Sequence, residues 1–489
     1  MHPLAKLDQR YLWHPFTQMR DWLKREPVVI LEGEGAVLRD QKGREYLDGN
    51  SSIWTNLHGH AHPKINQALT RQLKHIAHSS ALGLANEPSA LLGAGLVKAT
   101  AQKNPAREIA GNPKLEKVFY SDDGSTAVEV ALKLAYEFAH RTGRSRKPKF
   151  LSIDGAYHGD TIGAVSAGHI DLFHKAYSGM LFKTDKVMAP YCYRCPFNRA
   201  KAERADARKY RKCQWECVGK VEQRFSAQRK KGEPYAAFVY EPLMQGAAGM
   251  IPQPSGWLRR VCELARQNGS LLIADEVMTG FGRTGATCRI TEGQGRQRPK
   301  DFKASPLFAS QRSGVQPDFL CLAKGLTGGY LPMAATLTTQ AVFDAFLGEY
   351  EEFKTFFHGH SYTGNQLGAS AGLASLELLE SAKSQRQRWE IQRVLEEELE
   401  IIWKRPNVGD VRQVGLVVGV ELVRDWRTKV PFQLKERVGI RVCEAMARRG
   451  VLTRPIGSVI VLMPPYCCTG DQVRKMVAVL HDSIREVLG

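Results

Sequence analysis

The sequence predicts an α/β protein: a large domain built on a mostly parallel sheet, joined to a smaller α+β domain. Two patterns carry this prediction. Between residues 117 and 330, short apolar runs alternate with helical stretches, which is typical of a mostly parallel sheet. After about Leu367, a long helical stretch (367–404) leads to two strand-like runs, GLVVGVELV and SVIVLMPP, as in a smaller mixed unit.

The elements before Leu367 follow from local patterns. Residues 27–48 alternate apolar and polar side chains between glycine turns, which predicts a small antiparallel unit. Residues 64–80, TAVEVALKLAYEFAHRTG and WLRRVCELARQNG are predicted helices, and the predicted strands are KVFYSD, KFLSID, AAFVYEP, SLLIADEV and PDFLCLAKG. We assign residues 1–70 to the small domain, 71–366 to the large domain and 367–489 to the C-terminal small domain.

The net charge of +19 is concentrated in two segments. Residues 199–231 hold 12 Lys and Arg against 4 Asp and Glu, and residues 286–316 hold 6 against 2. We interpret both as surface insertions, at about 190–232 and 286–316. Neither contains interleaved aromatic residues or a nucleic-acid motif. We therefore expect the charge to affect the solubility of the protein and its rate of association with other molecules, and not to indicate nucleic-acid binding. A basic nucleic-acid-binding protein on a degenerate enzyme fold is the alternative from another class.

The composition indicates no membrane span and no secretory signal, so a cytoplasmic location without membrane partners is expected. Two patterns suit a metal. His58, His60 and His62 form H-x-H-x-H, but glycine and proline place them in a turn. Four cysteines form C-x2-C and C-x3-C with a spacing compatible with structural zinc, although reduced thiols are favoured and no metal ligand is predicted; they are Cys192, Cys195, Cys213 and Cys217.

The residues that carry chemistry follow strands. Asp275 ends the strand SLLIAD, and Lys324 ends the next strand, FLCLAK, 49 positions later. Ligands in open α/β sheets bind beyond the carboxyl ends of the strands. A lysine withdrawn from water has a lowered pKa and becomes a usable nucleophile and base. The pair suits an aldehyde cofactor whose ring nitrogen is kept protonated by a carboxylate.

Further residues match the other needs of such a cofactor. Gly124 and Ser125 lie between a strand and a helix, where free N–H groups can bind phosphate. Val277 could pack on one face of the ring, and Tyr157, in the loop GAYHGDT, could stack on it. Arg454, in TRPIG, could bind a substrate carboxylate with two hydrogen bonds. A plain helix cap, a packed loop aromatic and a surface arginine are the ordinary alternatives.

The combined motifs resemble class III aminotransferases, which have the pyridoxal phosphate (PLP) fold type I. The run LLIADEVMTGFGRTG followed by LAKGLTGG carries this resemblance, which extends from Tyr11 to the last helix. It implies PLP as cofactor, joined to Lys324, with Asp275 at the ring nitrogen and Gly124 and Ser125 at the phosphate. It also implies that Tyr157 shapes the substrate side of the ring.

The resemblance further implies a homodimer with shared active sites. Gly359, His360 and Ser361 occupy the segment that the partner subunit places near the phosphate and the substrate. Arg454 is implied to bind the substrate carboxylate. The segments LWHPFTQM and DGNSSIW, which contain Phe16, Ile53 and Trp54, are implied to contribute to the substrate site.

These two segments, with GSTAVEVALK, EPLMQGAAGM and LTRPIG, resemble the branch of the class that aminates 8-amino-7-oxononanoate in biotin synthesis. The resemblance allows either S-adenosylmethionine or L-lysine as the amino donor. Phe16, Ile53, His360 with Ser361, and Val461 depart from the adenosylmethionine-using pattern, while TFFHGHSYTGNQLG resembles the Bacillus-type lysine-using form, so the sequence favours lysine. Another class III enzyme, acting on an ω-amino acid or ornithine, is the nearest alternative.

Overall fold

The computed structural model describes residues 1–101, 112–285 and 305–489. Within them the strands are β1 (Ile30–Glu34), β2 (Val37–Asp40), β3 (Glu45–Asp48), β4 (Lys117–Ser121), β5 (Phe150–Ile153), β6 (Asp185–Val187), β7 (Ala237–Tyr240), β8 (Met244–Gln245), β9 (Ile251–Pro252), β10 (Leu271–Asp275), β11 (Phe319–Leu322), β12 (Ala334–Thr338), β13 (Val408–Val414), β14 (Val417–Leu422), β15 (Val451–Leu452), β16 (Pro455–Ile456) and β17 (Val459–Leu462).

The helices are α1 (Pro3–Tyr11), α2 (Met19–Trp22), α3 (Ser51–Trp54), α4 (Pro63–His75), α5 (Glu87–Thr100), α6 (Gly124–Arg141), α7 (Ile162–Ala167), α8 (Asp171–His174), α9 (Ala207–Tyr210), α10 (Glu216–Arg229), α11 (Trp257–Gln267), α12 (Ala309–Arg312), α13 (Gln340–Asp344), α14 (Gln366–Glu380), α15 (Ala382–Glu398), α16 (Val438–Arg448) and α17 (Gly470–Leu488). No helix of the described ranges is both long and apolar enough to cross a membrane.

A seven-stranded sheet forms the centre of the large domain, in the order β4-β12-β11-β10-β7-β5-β6. All neighbours are parallel except β12, which runs antiparallel to both β11 and β4. The prediction of a mostly parallel sheet is therefore confirmed, and every residue of β10 and β11 is buried, as expected for parallel strands covered on both faces. Strand β12 was not predicted, because AATLT lacks the continuous large apolar run of its neighbours.

Two smaller sheets accompany the central one. The first joins β1, β2 and β3 in antiparallel pairs and adds β15, which pairs in parallel with β3. The second has the order β13-β14-β17-β16. Only two strands were predicted in the C-terminal region, and β13 was missed because its buried Asp410 and Arg412 make the run look polar. The pairing of β3 with β15 supports the assignment of residues 1–70 to the small domain, which stays a prediction.

The first basic segment packs against β13, and its interpretation as a surface insertion stays a prediction. Arg204 donates to the carbonyls of Arg405 and Val408, and Arg208 donates to that of Gln413. These arginines hold the segment against β13, so part of the positive charge has a structural use. Of the second basic segment, residues 286–304 lie outside the described residues.

Candidate active site

A cavity of about 450 Å³ opens beyond the carboxyl ends of β10 and β11. Because parallel strands end at one edge of the sheet, side chains that follow each strand converge there. The sequence-predicted residues that line this cavity are Trp54, Gly124, Ser125, Tyr157, Asp275, Val277 and Lys324. The structure therefore brings seven of the predicted residues to one place.

Asp275 is buried at the end of β10 and is held by two donors. One carboxylate oxygen bonds His158 Nδ1 at 2.7 Å, and the other accepts the Val277 N–H at 3.0 Å. The His158 side chain is fully buried, and burial opposes its charge. The adjacent Asp275 carboxylate outweighs burial, so the pKa of His158 is raised. His158 was noted in the sequence only as a neighbour of Tyr157, and its position behind Asp275 was not foreseen.

Lys324 follows β11 with a φ of +46°, and its side chain enters the cavity. Burial lowers the pKa of its amine, while the carboxylates of Asp275 and Glu241 act in the opposite direction. The Lys324 Nζ lies 5.5 Å from the centre of the Trp54 ring. A lysine with a lowered pKa spends more of its time as a free amine, which is the form that acts as nucleophile and base.

The N-terminus of α6 forms one end of the cavity. Asp123 caps the helix by accepting the Thr126 N–H, and Thr126 Oγ1 accepts the Asp123 N–H in return. The capping box uses the Thr126 N–H, while Gly124 and Ser125, the first two residues of the helix, line the cavity. A Cβ at Gly124 would lie 2.6 Å from a methyl group of Val277, so only glycine allows this close approach.

Tyr157 and Glu241 form another side of the cavity. The Tyr157 hydroxyl donates to Asp160 at 2.7 Å, and its backbone N–H donates to Glu241 at 3.1 Å. Burial raises the pKa of Glu241 to about 7, and the nearby Asp275 carboxylate acts in the same direction. Glu241 was not predicted, although its position directly after β7 is the same signal that identified Asp275.

The residues Ser51–Trp54 form one turn of left-handed helix, with φ values of +53°, +48°, +64° and +69°. The Trp54 N–H donates to the Asn50 carbonyl and the Thr55 N–H to that of Ser51. This conformation costs an L-residue roughly 1–2 kcal/mol, and it is rare in consecutive positions. The turn directs Trp54 to the cavity and leaves Ile53 exposed to solvent.

Phe16 and Arg454 lie elsewhere, in a second cleft of about 770 Å³ between residues 16–28 and α16. Arg454 is exposed, and the Phe16 ring meets the edge of Phe173 at 5.3 Å. Within one chain, the structure therefore does not bring these two predicted substrate residues into the cavity that contains Lys324.

Residues 359–361 lie beside Asp122, close to the N-terminus of α6. His360 Nδ1 is 3.1 Å from a carboxylate oxygen of Asp122, which lines the cavity, while Gly359 and Ser361 are exposed. His78 bonds the Ser361 carbonyl at 2.9 Å. The segment thus borders the cavity of its own chain through His360 alone.

The metal-like patterns do not assemble into a metal centre. Within the described residues, no group of three or more His, Cys, Asp or Glu side chains is arranged to hold a metal ion. The four clustered cysteines are free thiols. The histidines of H-x-H-x-H make separate contacts, since His58 bonds Ser375, His60 bonds Asp48, and His62 caps α4.

We expect His58 to make the protein sensitive to acid. Burial and the charges of His62, Arg388 and Arg283 lower the pKa of His58 to about 3, against an ordinary 6.5. Between these values the unfolded chain binds more protons than the folded one, so the free energy of unfolding falls as the pH falls. At pH 5 this loss is about 2 kcal/mol relative to pH 7.

The measurement is urea unfolding at several pH values. His58→Gln, which can keep the bond to Ser375, should flatten the decline between pH 7 and 5. The exposed His140 supplies the control, since His140→Gln should leave the decline unchanged. Equal pH slopes for the two variants would contradict the assignment.

Comparison with known proteins agrees with this geometry. Residues 19–292 and 304–484 match the family described as Aminotransferase class-III. The adenosylmethionine-8-amino-7-oxononanoate aminotransferase of Geobacter sulfurreducens is 47% identical over 486 residues, covering 99% of this chain and 98% of that protein.

Two solved structures are also similar over nearly their whole length. The crystal structure of adenosylmethionine-8-amino-7-oxononanoate aminotransferase from Methanocaldococcus jannaschii is 38% identical, with a TM-score of 0.84 and 99% of each chain covered. A PLP-bound amine transaminase from an uncultivated Pseudomonas species is 30% identical, with a TM-score of 0.83 and 98% of this chain and 99% of that chain covered.

Proposed function

This chain belongs to the class-III aminotransferase family, and from that premise we propose that it aminates 8-amino-7-oxononanoate to 7,8-diaminononanoate, a step of biotin synthesis. Its cofactor is PLP. The observation that carries the proposal is the pairing of Lys324 with Asp275 across one cavity, in a chain 47% identical to a relative named for this reaction.

The residues present fit the cofactor. Gly124 and Ser125, at the N-terminus of α6, line the cavity and can offer backbone N–H groups to a phosphate, and glycine at position 124 leaves space for the adjacent Val277 side chain. Asp275 is buried where a ring nitrogen would need a carboxylate, and Val277 offers an apolar surface next to it. When bound, PLP supplies an electron sink for the carbon that loses or gains the amino group.

Four residues of the cavity have separate roles in this reaction. Lys324 would hold the cofactor through its amine and would move a proton to and from the substrate carbon, for which a lowered pKa is required. Asp275, fixed by His158 and the Val277 N–H, holds the proton of the ring nitrogen. Tyr157 and Trp54 exclude water from two sides of the cavity.

The motif LTRPIG supports assigning the carboxylate of the keto acid to Arg454, although within one chain this arginine lines the second cleft and not the cavity that contains Lys324. Arg454→Met should raise the KM for 8-amino-7-oxononanoate by about 10- to 100-fold, the effect of losing a hydrogen-bonded charge pair. Arg437 provides a matched control, because it lines the same cleft but is paired with Asp21 at 3.1 Å. Steady-state kinetics with equal KM values for Arg454→Met and Arg437→Met would exclude this assignment.

The active protein is a homodimer. Two neighbouring segments, 76–86 and 350–362, expose an unusual set of large apolar side chains; these are Leu82, Leu84, Tyr350, Phe353, Phe357 and Tyr362. The segments touch through the rings of His78 and Tyr362. Exposed large apolar side chains that are concentrated in two touching segments indicate an interface. One of these segments contains Gly359, His360 and Ser361.

Light scattering should give twice the chain mass of 54.6 kDa. The double change Leu82→Arg and Phe357→Arg should produce a monomer with little turnover, because a buried unpaired charge opposes association. Leu434→Arg changes another exposed leucine, outside this surface, and should remain dimeric. A monomeric unmodified protein with full activity would refute the dimer.

For the donor we propose S-adenosylmethionine, which the names of the relatives carry, in place of the lysine that the sequence pattern favoured. The test mixes purified holoenzyme with each donor and follows the visible absorbance of the bound cofactor, then adds 8-amino-7-oxononanoate and detects 7,8-diaminononanoate by mass spectrometry. If lysine but not S-adenosylmethionine converted the bound cofactor, the assignment of S-adenosylmethionine as donor would be wrong. Failure to form the diamine with either donor would overturn the function and favour an ω-amino acid or ornithine as substrate.

A further inference from the structure

The left-handed turn Ser51–Trp54 is held by a buried carboxylate. One oxygen of Asp48 accepts the Ser52 N–H at 2.9 Å, and the other accepts the Ser52 hydroxyl at 2.8 Å. His60 bonds the second oxygen at 3.1 Å. Strained backbone persists only where its surroundings over-determine it. Asp48 therefore supplies two of the bonds that keep Ser52 in a conformation that side-chain-bearing residues avoid.

A buried arginine holds the other end of the turn. Arg283 donates from one nitrogen to the carbonyls of Trp54 and Asn56, at 3.4 and 2.9 Å, and from another to that of Pro464. It is almost fully buried, and no carboxylate of the described residues pairs with it. An arginine whose two terminal nitrogens both donate to backbone carbonyls acts as a clamp between the turn and the segment that follows β17.

The segment after Lys324 is shaped to receive this turn. A Cβ at Gly329 would lie 2.8 Å from backbone atoms of Thr55 and Asn56, so glycine alone permits the approach. The consequence is that Trp54 reaches the cavity, with its ring centre 5.5 Å from the Lys324 amine. The two clamps act together with the bond from the Ser51 hydroxyl to the Met463 carbonyl, at 2.6 Å, in holding the turn that places Trp54.

We propose that Asp48 and Arg283 are positioning residues that determine substrate specificity, by fixing the Trp54 indole as one wall of the substrate cavity. This inference rests on the proposed function, because it supposes that the wall faces the apolar chain of the keto acid. The two residues do not touch the reacting atoms. Arg283 lies eight positions after Asp275, so one stretch of chain supplies both the cofactor partner and the clamp.

The first test replaces Asp48 with asparagine, which has the same shape but one acceptor fewer. Asp48→Asn should raise the KM for 8-amino-7-oxononanoate about 10-fold or more, as expected for losing a hydrogen bond to a charged group. The kcat should change much less, because Lys324 and Asp275 stay in place. Asp40→Asn is the matched control: Asp40 is an equally buried carboxylate of the same sheet that also accepts backbone N–H groups, but it does not contact the turn.

The second test uses the two buried arginines that lie against the Tyr466 ring. Arg283→Met should raise the KM in the same way, whereas Arg388→Met should not. Arg388 is as buried and contacts the same ring, but it donates to the carbonyls of Ser384 in its own helix and of Leu379 in α14, and it does not contact the turn. Comparing the two variants separates a positioning effect from a general loss of stability.

Hydrogen exchange of the cofactor-free protein gives a readout besides activity. Peptides that cover residues 49–57 should exchange faster in Asp48→Asn and Arg283→Met, and at the wild-type rate in Asp40→Asn and Arg388→Met. Unchanged exchange in the first pair, or faster exchange with an unchanged KM, would overturn the proposal. If the proposed function is wrong, the unmodified enzyme will form no 7,8-diaminononanoate. Hydrogen exchange of residues 49–57 would still decide whether Asp48 and Arg283 hold the turn.

Discussion

Replacing Lys324 with alanine should reduce turnover by at least about 10⁴-fold, the upper end of what one positioned acid–base group contributes. The reason is that the same amine must bind the cofactor and transfer the proton. Its surroundings are built for this: burial lowers its pKa, and Asp275 and Glu241 lie close enough to limit that decrease. Within the described cavity lining, no second lysine is present to take over.

Single-turnover kinetics and the absorbance of the purified protein check this prediction. Lys324→Ala should lose the colour of the covalently held cofactor, although α6 and Asp275 can still retain it without a bond. Lys186 on β6 is a suitable control, because burial also lowers the pKa of that amine but it does not line the cavity. Lys186→Ala should keep both colour and kcat. Turnover of Lys324→Ala comparable to this control would refute the assignment.

Much of the site could be predicted because one rule identifies it. Asp275 and Lys324 directly follow apolar strands, and parallel strands place such residues together at one edge. The same rule applied to β7 would have found Glu241, which the sequence analysis quoted only as the first residue of the motif EPLMQGAAGM. His158 was harder, since its contact with Asp275 joins residues 117 positions apart.

The missed strands show where local sequence fails. In β13, Arg412 bonds Asp410 at 2.9 Å inside the protein, so two charges that indicate solvent exposure in the sequence are mutually compensated in the fold. Whether such a pair is buried depends on residues far along the chain. β12 was missed for a different reason: its small residues are buried against α6, but the sequence AATLT is not apolar enough to predict a buried strand.

The left-handed turn could not have been predicted from its own residues. Serine, isoleucine and tryptophan all have a Cβ and avoid positive φ. Asp48, Arg283 and Gly329 impose the conformation from three different parts of the sequence. Phe16 and Arg454 show a related limit: their positions in a second cleft follow from the small domain, which motifs around the cofactor do not describe.

Replacing Asp275 with asparagine should lower kcat by about 10²- to 10³-fold, similar to the effect of removing one preorganised electrostatic partner from a reacting group. Asparagine has nearly the same shape but is neutral, so it cannot favour a protonated ring nitrogen. It also has a single acceptor oxygen for the two donors that Asp275 now serves, the Val277 N–H and His158 Nδ1. His158 would lose the charge that raises its pKa and would remain buried as a neutral ring.

Asp318→Asn is the matched control for this change. Asp318 is a buried carboxylate next to the start of the neighbouring strand β11, at the opposite end of the sheet, where it accepts the Leu272 N–H at 2.8 Å. Both variants lose one buried carboxylate charge, so both should be destabilised to urea. Only Asp275→Asn should alter the absorbance of the bound cofactor and lower kcat. If kcat per bound cofactor fell equally in both variants, the decrease would come from a general disturbance of the sheet and not from losing the carboxylate at the ring nitrogen. That result would refute the role assigned to Asp275.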